Sequence, residues 1–354
     1  MKKIIKQFEP YIRRKDAKAV YRTIKRGFIG PGCECVRLEE KIKQLLNVKY
    51  CFTTTSGTTA LLMAIESLNL PKGSTIAFPA YTFLAGANAA RFMGYKIKLI
   101  DINSWNLCMS PELLKKCIKN IRCVIFVNHN AYFGDALYTI KQICQENKVP
   151  MIEDSSQCIG IYSAGVTGNI GVYSFSVPKL VNGGQGGVVF TNNDKIAKRL
   201  GEIRDHGDKW RIDRIHRAIG VNFRYNDIQA SYVLSQLNDI KYLLTKKWRI
   251  CNEYYKYIEI EGFYADSYSN EVPWMIVYRS EKATDIIEAL RKEGIDAVRY
   301  YRPIHHNPPY KTKKEFPMSE KAYNELIYLP SSLNLSKRQI KKICKIILKV
   351  EDKK

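Results

Sequence analysis

Between residues 48 and 191 short β-rich runs recur with helical patterns between several of them, and this alternation constrains the fold of the 354-residue chain more than any other feature. The runs are VKYCFTTT (48–55), TIAFP (75–79), YKIKLID (95–101), CVIFVNH (123–129), VPMIED (149–154), IGVYSFS (170–176) and GVVFT (187–191). Helical periodicity is clearest in TTALLMAIESLN (58–69), PELLKKCIKNI (111–121) and LYTIKQICQEN (137–147). Parallel strands need long crossovers that helices supply, so the pattern predicts an α/β fold with a largely parallel sheet covered by helices on both faces. In such sheets ligands sit outside the carboxyl ends of the strands. After residue 230 the pattern changes to a helical stretch over 226–258, a β-like PWMIVYR (273–279), a helix DIIEALRKEG (285–294) and a last helix from about 336. The expectation is a large α/β domain over 1–235 and a smaller α+β domain over 236–354.

At 45% hydrophobic residues the chain can bury a large core. No apolar run reaches signal-peptide or membrane-spanning length, which leads to the expectation of a cytoplasmic protein without a membrane partner. Ten scattered cysteines lack the paired spacing of zinc sites, so they read as reduced, mostly core thiols, with no metal expected. A net charge of +23 could attract a nucleic acid, an anionic membrane or an anionic small substrate. The charge is spread along the chain, however, and its densest runs, Lys246, Lys247 and Arg249 and the tail KRQIKKICKIILKVEDKK, fall on helix-like stretches whose polar faces water would solvate. Nucleic acid is therefore not an expected partner.

The chemistry concentrates in 149–187, VPMIEDSSQCIGIYSAGVTGNIGVYSFSVPKLVNGGQGG. Asp154 ends one strand, and Lys179 follows another just before a glycine-rich turn. Pyridoxal 5′-phosphate (PLP) needs two such partners: a lysine to form a Schiff base and a carboxylate to keep the pyridine nitrogen protonated, so that the ring serves as an electron sink. Its phosphate needs amides and hydroxyls at a helix N-terminus, which Thr55-Ser56-Gly57-Thr58 offers where a strand gives way to a helix. Taken singly, each feature has a plainer explanation. Asp154 could cap a helix or pair with a cation, Lys179 could be a solvated surface charge, and Ser-Gly-Thr is a common N-cap. Their order on an alternating α/β frame is what points to PLP.

These residues, with FIGPGCECVRLEEKI (28–42), TTTSGTTALLMA (53–64), FPAYTFLAGANAA (78–90), IEDSSQCIG (152–160), YSFSVPKLVNGGQGGVVFT (173–191), RDHG (204–207), GVNFRYNDIQASYVLSQL (220–237), RYYRPIH (299–305) and LIYLPSSLNLSKRQI (326–340), give a chain that resembles the DegT/DnrJ/StrS nucleotide-sugar aminotransferases over nearly its whole length. The resemblance implies the aspartate-aminotransferase fold (PLP fold type I) with a seven-stranded sheet. It also implies PLP as cofactor, pyridoxamine phosphate as its amine-carrying form, and a homodimer with shared active sites. Lys179 would be the Schiff-base lysine and the proton carrier, and Asp154 the partner of the pyridinium nitrogen. Gln157 would lie near the ring hydroxyl and Phe83 on the ring face. Gly57, Thr58 and Ser174, beside Ser56, would hold the phosphate, with Asn222 reaching in from a second subunit. Arg224 and His305 would meet the substrate. Phe83 could instead be core beside Tyr81, Asn222 and Arg224 could build a loop, and His305 and His306 could be structural.

SFSVPKLVNGGQGG is closer to the sugar 4-aminotransferases of the perosamine and viosamine synthase type than to the 3-aminotransferases. The implied reaction converts a nucleotide-linked 4-keto-6-deoxy sugar into its 4-amino derivative with glutamate as donor. A 3-aminotransferase and a non-catalytic regulatory homologue are the competing readings. VNHNAYFGD (127–135) departs from the histidine, aliphatic, aromatic and glycine order of many relatives, which shifts His129 from its usual partner.

Overall fold

The computed structural model describes residues 4–103, 106–132, 134–161, 164–207, 215–261 and 272–353. All seven β-rich runs become strands of one sheet: β1 (Tyr50–Thr54), β2 (Thr75–Pro79), β3 (Lys96–Ile100), β4 (Cys123–Val127), β5 (Met151–Asp154), β6 (Ile170–Ser174) and β7 (Gly187–Thr191). Their spatial order is β1-β7-β6-β5-β4-β2-β3. From β3 to β6 every pair is parallel, whereas β7 runs antiparallel to both β6 and β1. The reversal follows from the connection: β6 and β7 are joined by a turn without a helix, which only an antiparallel pair permits.

The helices are α1 (Arg14–Lys25), α2 (Cys33–Leu46), α3 (Gly57–Ser67), α4 (Ala85–Phe92), α5 (Pro111–Lys115), α6 (Gly134–Glu146), α7 (Asp194–Arg204), α8 (Asp227–Leu237), α9 (Ile240–Tyr255), α10 (Ala283–Lys292), α11 (Pro317–Glu325) and α12 (Lys337–Glu351). Both sheet faces are covered, which is why β4, β6 and β7 are buried at every residue. Ile125, Val127, Ile152 and Val172 face α3, α4 and α7. On the opposite face Val124 and Phe126 pack against α5 and α6, and Tyr173, Val188 and Phe190 against α2 and α8. Beyond the sheet, β8 (Ile276–Arg279) pairs antiparallel with β9 (Leu326–Leu329), and α9, α10 and α12 share a separate core with them. Asp101, just past β3, ties α11 to the large sheet by accepting from the amides of Met318 and Ser319, both at 2.9 Å.

Two elements differ from the sequence expectation. The helical stretch over 226–258 breaks at Asn238 and Asp239 into α8 and α9, because Asp239 leaves helical geometry (φ −118°, ψ 28°) and its carboxylate pairs with Arg13 at 2.5 Å and with Lys15. Strand β8 begins at Ile276, three residues later than the β-like run, because the amides of Trp274 and Met275 bond Asn130 instead of a neighbouring strand.

Every cysteine is free, and all but Cys33 and Cys117 are buried. Among the described residues no helix is long and apolar enough to cross a membrane. On α12 the exposed Lys337, Lys341, Lys345 and Lys349 project to solvent, while Ile340, Ile343, Cys344 and Ile347 are buried.

Candidate active site

The site forms where β4, β5 and β6 end, and two consecutive carboxylates show how the pleat divides structure from chemistry. Side chains alternate across a strand, so Glu153 and Asp154 at the end of β5 face opposite ways. Glu153 is fully buried and saturated: it accepts from the amides of Gly165 (2.7 Å), Thr167 (2.8 Å) and Gly168 (3.0 Å) and from Nδ2 of Asn128 (2.8 Å). Asp154 accepts from one described amide, that of Ser156 at 3.0 Å, and opens onto a cleft of about 280 Å³. Desolvation raises the pKa of Asp154 above the usual carboxylate range, partly offset by hydrogen bonds from Ser156 and by the charge of Lys179.

Lys179 faces the same cleft from a turn closed by its own amide on the Ser176 carbonyl at 3.0 Å. Its side chain is buried, and desolvation lowers its pKa to about 8, against the opposing pull of Asp154 and then Cys158. The Trp274 ring stands over Nζ at 4.0 Å from its centroid, a contact worth about 0.5–2 kcal/mol to a charged amine. The indole N–H donates to the Pro178 carbonyl at 2.6 Å. The glycine-rich run after Lys179 is required by packing: Gly186 has φ +132°, and a Cβ there would lie 2.6 Å from the Tyr225 hydroxyl.

The third component is the start of α3. Ser56 is its N-cap, accepting from the Thr59 amide at 3.1 Å while Thr59 returns the bond to the Ser56 amide. The amides of Gly57 and Thr58 therefore remain unpaired among the described residues, at the positive end of the helix dipole. A Cβ on Gly57 would fall 2.8 Å from that of Ser174, so the absence of a side chain lets β6 and the helix end approach.

Ser56, Gly57, Thr58, Phe83, Asp154, Gln157, Ser174 and Lys179 thus converge on one cleft. Phe83 is 62% exposed at its mouth, whereas Tyr81 is core, so the alternative of a buried Phe83 is overturned. Gln157 is held by its own Nε2 donating to Tyr301 Oη at 2.9 Å. Three expected residues lie elsewhere. Asn222 is exposed and accepts from Nε of Arg224 at 3.0 Å, while Arg224 pairs with Asp205 at 3.3 Å. His305 stacks on Phe316 and bonds Glu320 at 2.6 Å, sharing that oxygen with His306 at 2.7 Å. Its buried Nδ1 has no hydrogen-bond partner among the described residues. From RYYRPIH it is Tyr300 and Tyr301 that reach the cleft, together with Trp274, Gln185 and Ser176. Sequence reasoning assigned none of these five a role, although Tyr300 and Tyr301 sit inside RYYRPIH, Ser176 and Gln185 inside YSFSVPKLVNGGQGGVVFT, and Trp274 inside the β-like run PWMIVYR. His129 is buried against Tyr81 and Tyr301, bonds Tyr328 Oη at 2.9 Å, and is pushed down to about 3 by burial and the Lys179 charge, so it stays neutral. Phe133 of the same stretch lies outside the described residues.

This arrangement fits PLP. A half-buried carboxylate with few donors, a desolvated lysine and free helix-terminal amides beside Gly57 would suit, in turn, a ring nitrogen, an aldehyde and a phosphate. Because only the neutral amine attacks a carbonyl, the rate at which the apoprotein takes up PLP should rise about tenfold per pH unit up to pH 8 and flatten above it. Stopped-flow absorbance tests this; a rate still climbing at pH 10 would return Lys179 to the ordinary lysine range.

Comparison with known proteins agrees. The model of the DegT/DnrJ/EryC1/StrS aminotransferase family matches residues 10–348. The UDP-2-acetamido-2-deoxy-3-oxo-D-glucuronate aminotransferase of Pseudomonas aeruginosa is 26% identical, covering 96% of this chain and 97% of its own. The GDP-perosamine synthase of Vibrio cholerae is 24% identical, covering 97% and 98%. Among solved structures, Helicobacter pylori PseC, an aminotransferase of pseudoaminic acid biosynthesis, superposes with a TM-score of 0.90 at 23% identity, covering 98% of this chain and 99% of its own.

Proposed function

From the membership of this chain in the DegT/DnrJ/EryC1/StrS aminotransferase family, which makes it a PLP-dependent aminotransferase, we propose that it moves an amino group from glutamate to C4 of a nucleotide-linked 4-keto-6-deoxy sugar. The observation that carries the reading is the pairing of Asp154 and Lys179 across a cleft that also receives the start of α3. The choice of C4 is supported by the SFSVPKLVNGGQGG segment and by the GDP-perosamine synthase relatives. The relative named for a 3-oxo sugar supports amination at C3 as the second reading.

In this proposal Asp154 holds the protonated ring nitrogen, Gly57, Thr58, Ser56 and Ser174 hold the phosphate, Phe83 covers a ring face, and Gln157 faces the ring hydroxyl. When bound, the cofactor supplies an electron sink at the reacting carbon. Nζ of Lys179 is the attachment point and, once released, takes a proton from the donor amino acid and returns one to the sugar carbon. Trp274, Tyr300 and Tyr301 keep water from Nζ, so its proton goes to substrate rather than solvent. The test is incubation with 3-keto and 4-keto nucleotide sugars and glutamate, with the amine position read by NMR. Amination of the 3-keto substrate alone would replace the C4 reading with the C3 one, and glutamate consumption with neither would remove the sugar from the proposal.

Asn222 and Arg224 act, in the same proposal, in the site of a second copy. Their segment carries exposed apolar side chains, Ile219 at 97% and Val221 at 48% accessibility, and Phe28 and Ile29 are exposed beside Gly30, whose carbonyl binds the Asp227 amide. Ile219→Asp should convert a dimer to monomers and lower activity in step, as read by light scattering. An unchanged mass with this variant would place the interface elsewhere.

A further inference from the structure

Asn130 and Trp274 make a connection that the chemistry above leaves without a purpose. Asn130 sits in the stretch that departs from its relatives, fully buried, with φ +51°, and the next residue, Ala131, has φ +72°. Two successive non-glycine residues in the left-handed region are disfavoured, and such strain persists where the surroundings over-determine it. The surroundings here are specific. Oδ1 of Asn130 accepts from the Met275 amide at 2.8 Å, and Nδ2 donates to the Met275 carbonyl at 3.2 Å, so the side chain imitates a paired strand. Its carbonyl accepts from the Trp274 amide at 3.3 Å, and its amide donates to Oε1 of Gln157 at 2.5 Å. One residue thus joins the floor of the cleft to the segment that carries the Trp274 ring.

That ring is pinned on its other sides as well. Its N–H holds the Pro178 carbonyl, Tyr300 meets it edge-on at 5.3 Å, and its face lies 4.0 Å from Nζ of Lys179. Trp274, Pro178, Gln157 and Lys179 also wall a second chamber behind the cleft, which Leu180 and Lys247 line from the far side. We propose that Trp274 is the positioning residue for the Lys179 amine, and that Asn130 positions Trp274 through the backbone of Met275. The proposal rests on Lys179 being the attachment point. The ring face attracts the charged amine and holds it at the boundary between the two chambers. Loss of the proton removes that attraction and frees the amine to move into the cleft.

Other titratable groups face Lys179 or its two chambers: Asp154 and Cys158 at and after the end of β5, His129 after β4, Tyr300 and Tyr301 before α11, Lys247 on α9, and Glu9 and Tyr11 from the N-terminal arm. Substitution at Trp274 leaves all of them in place, so a change in Lys179 titration reports the ring.

The experiment uses the full-length apoprotein, labelled with PLP and borohydride across a pH series, with the fraction attached at Lys179 read by peptide mass spectrometry. Trp274→Leu, which keeps bulk without a π face, should move the labelling midpoint down by about half a unit to one unit, and Trp274→Phe should restore most of it. Asn130→Gly, which tolerates the left-handed backbone but cannot clamp Met275, should shift the midpoint as Trp274→Leu does and alter Trp274 fluorescence. Asn130→Asp, which keeps only the acceptor, should fall between. An unchanged midpoint in Trp274→Leu, or an Asn130→Gly protein that melts earlier but labels like the parent, would overturn the proposal. Failure of the parent to label at Lys179 at all would instead overturn the attachment reading on which it rests.

Discussion

Changing Lys179 to alanine is expected to reduce multiple-turnover amine transfer at least about 10⁴-fold, the upper range for loss of a positioned acid–base group, because the same atom is both attachment point and proton carrier. Binding should suffer far less. The features that fit the ring nitrogen and the phosphate, Asp154 and the amides of Gly57 and Thr58, do not depend on Lys179, so the variant should still retain pyridoxamine phosphate through dialysis. Lys179→Arg, which keeps charge and length but offers no amine of ordinary nucleophilicity, should be equally inactive. Glutamate consumption with the keto sugar present measures the first effect, and absorbance of the dialysed protein the second. Normal turnover in Lys179→Ala would place the chemistry on another lysine.

Asp154→Asn is expected to cost about 10²–10³-fold in kcat and to weaken retention of PLP, with the fold intact. The amide is isosteric, so packing is preserved, and what disappears is the negative charge that would keep a ring nitrogen protonated. The low number of competing donors makes the effect large: among the described residues, apart from Lys179, Ser156 alone engages the carboxylate, through its amide at 3.0 Å and its hydroxyl, so its charge is available to a ligand. Glu153→Gln is the matched control. That carboxylate accepts five bonds from the protein, and an amide there would set N–H groups against N–H donors, so the loss should appear in melting temperature instead of turnover. If Asp154→Asn behaved like Glu153→Gln, losing stability with kinetics preserved, Asp154 would be a structural residue.

The part of the site that was legible in the sequence is the part built by local rules. A period of two exposes strands, a period of 3.6 exposes helices, and Ser56 ahead of Gly57 and Thr58 is visible as an N-cap because capping involves residues three apart. Asp154 and Lys179 were readable for a related reason: Asp154 closes β5 and Lys179 lies in the turn after β6, and strand ends in a parallel sheet face the ligand side. His305 shows the limit. The motif around it was found, yet the turn at 304–306 directs His305 to Glu320 and Phe316 and leaves Tyr300 and Tyr301 to face the cleft.

Local pattern also could not foresee where secondary structure yields to a distant partner. Helical periodicity runs across Asn238 and Asp239, but Arg13, 226 residues away, takes the Asp239 carboxylate and the helix divides. The β-like run at 273–279 includes Trp274 and Met275, but Asn130, 145 residues away, captures the Met275 backbone and delays the strand. By itself, then, the sequence determined the α/β alternation, the seven strands, the cap of α3, the carboxylate that ends β5 and the lysine in the turn after β6, because each depends on dihedral preference and side-chain periodicity within a few residues. Only the tertiary structure decided that Trp274 covers Lys179, that Tyr301 steadies Gln157 and that His305 turns away. Those contacts join segments more than 90 residues apart, or depend on the aim of a single turn, and no short-range pattern carries either.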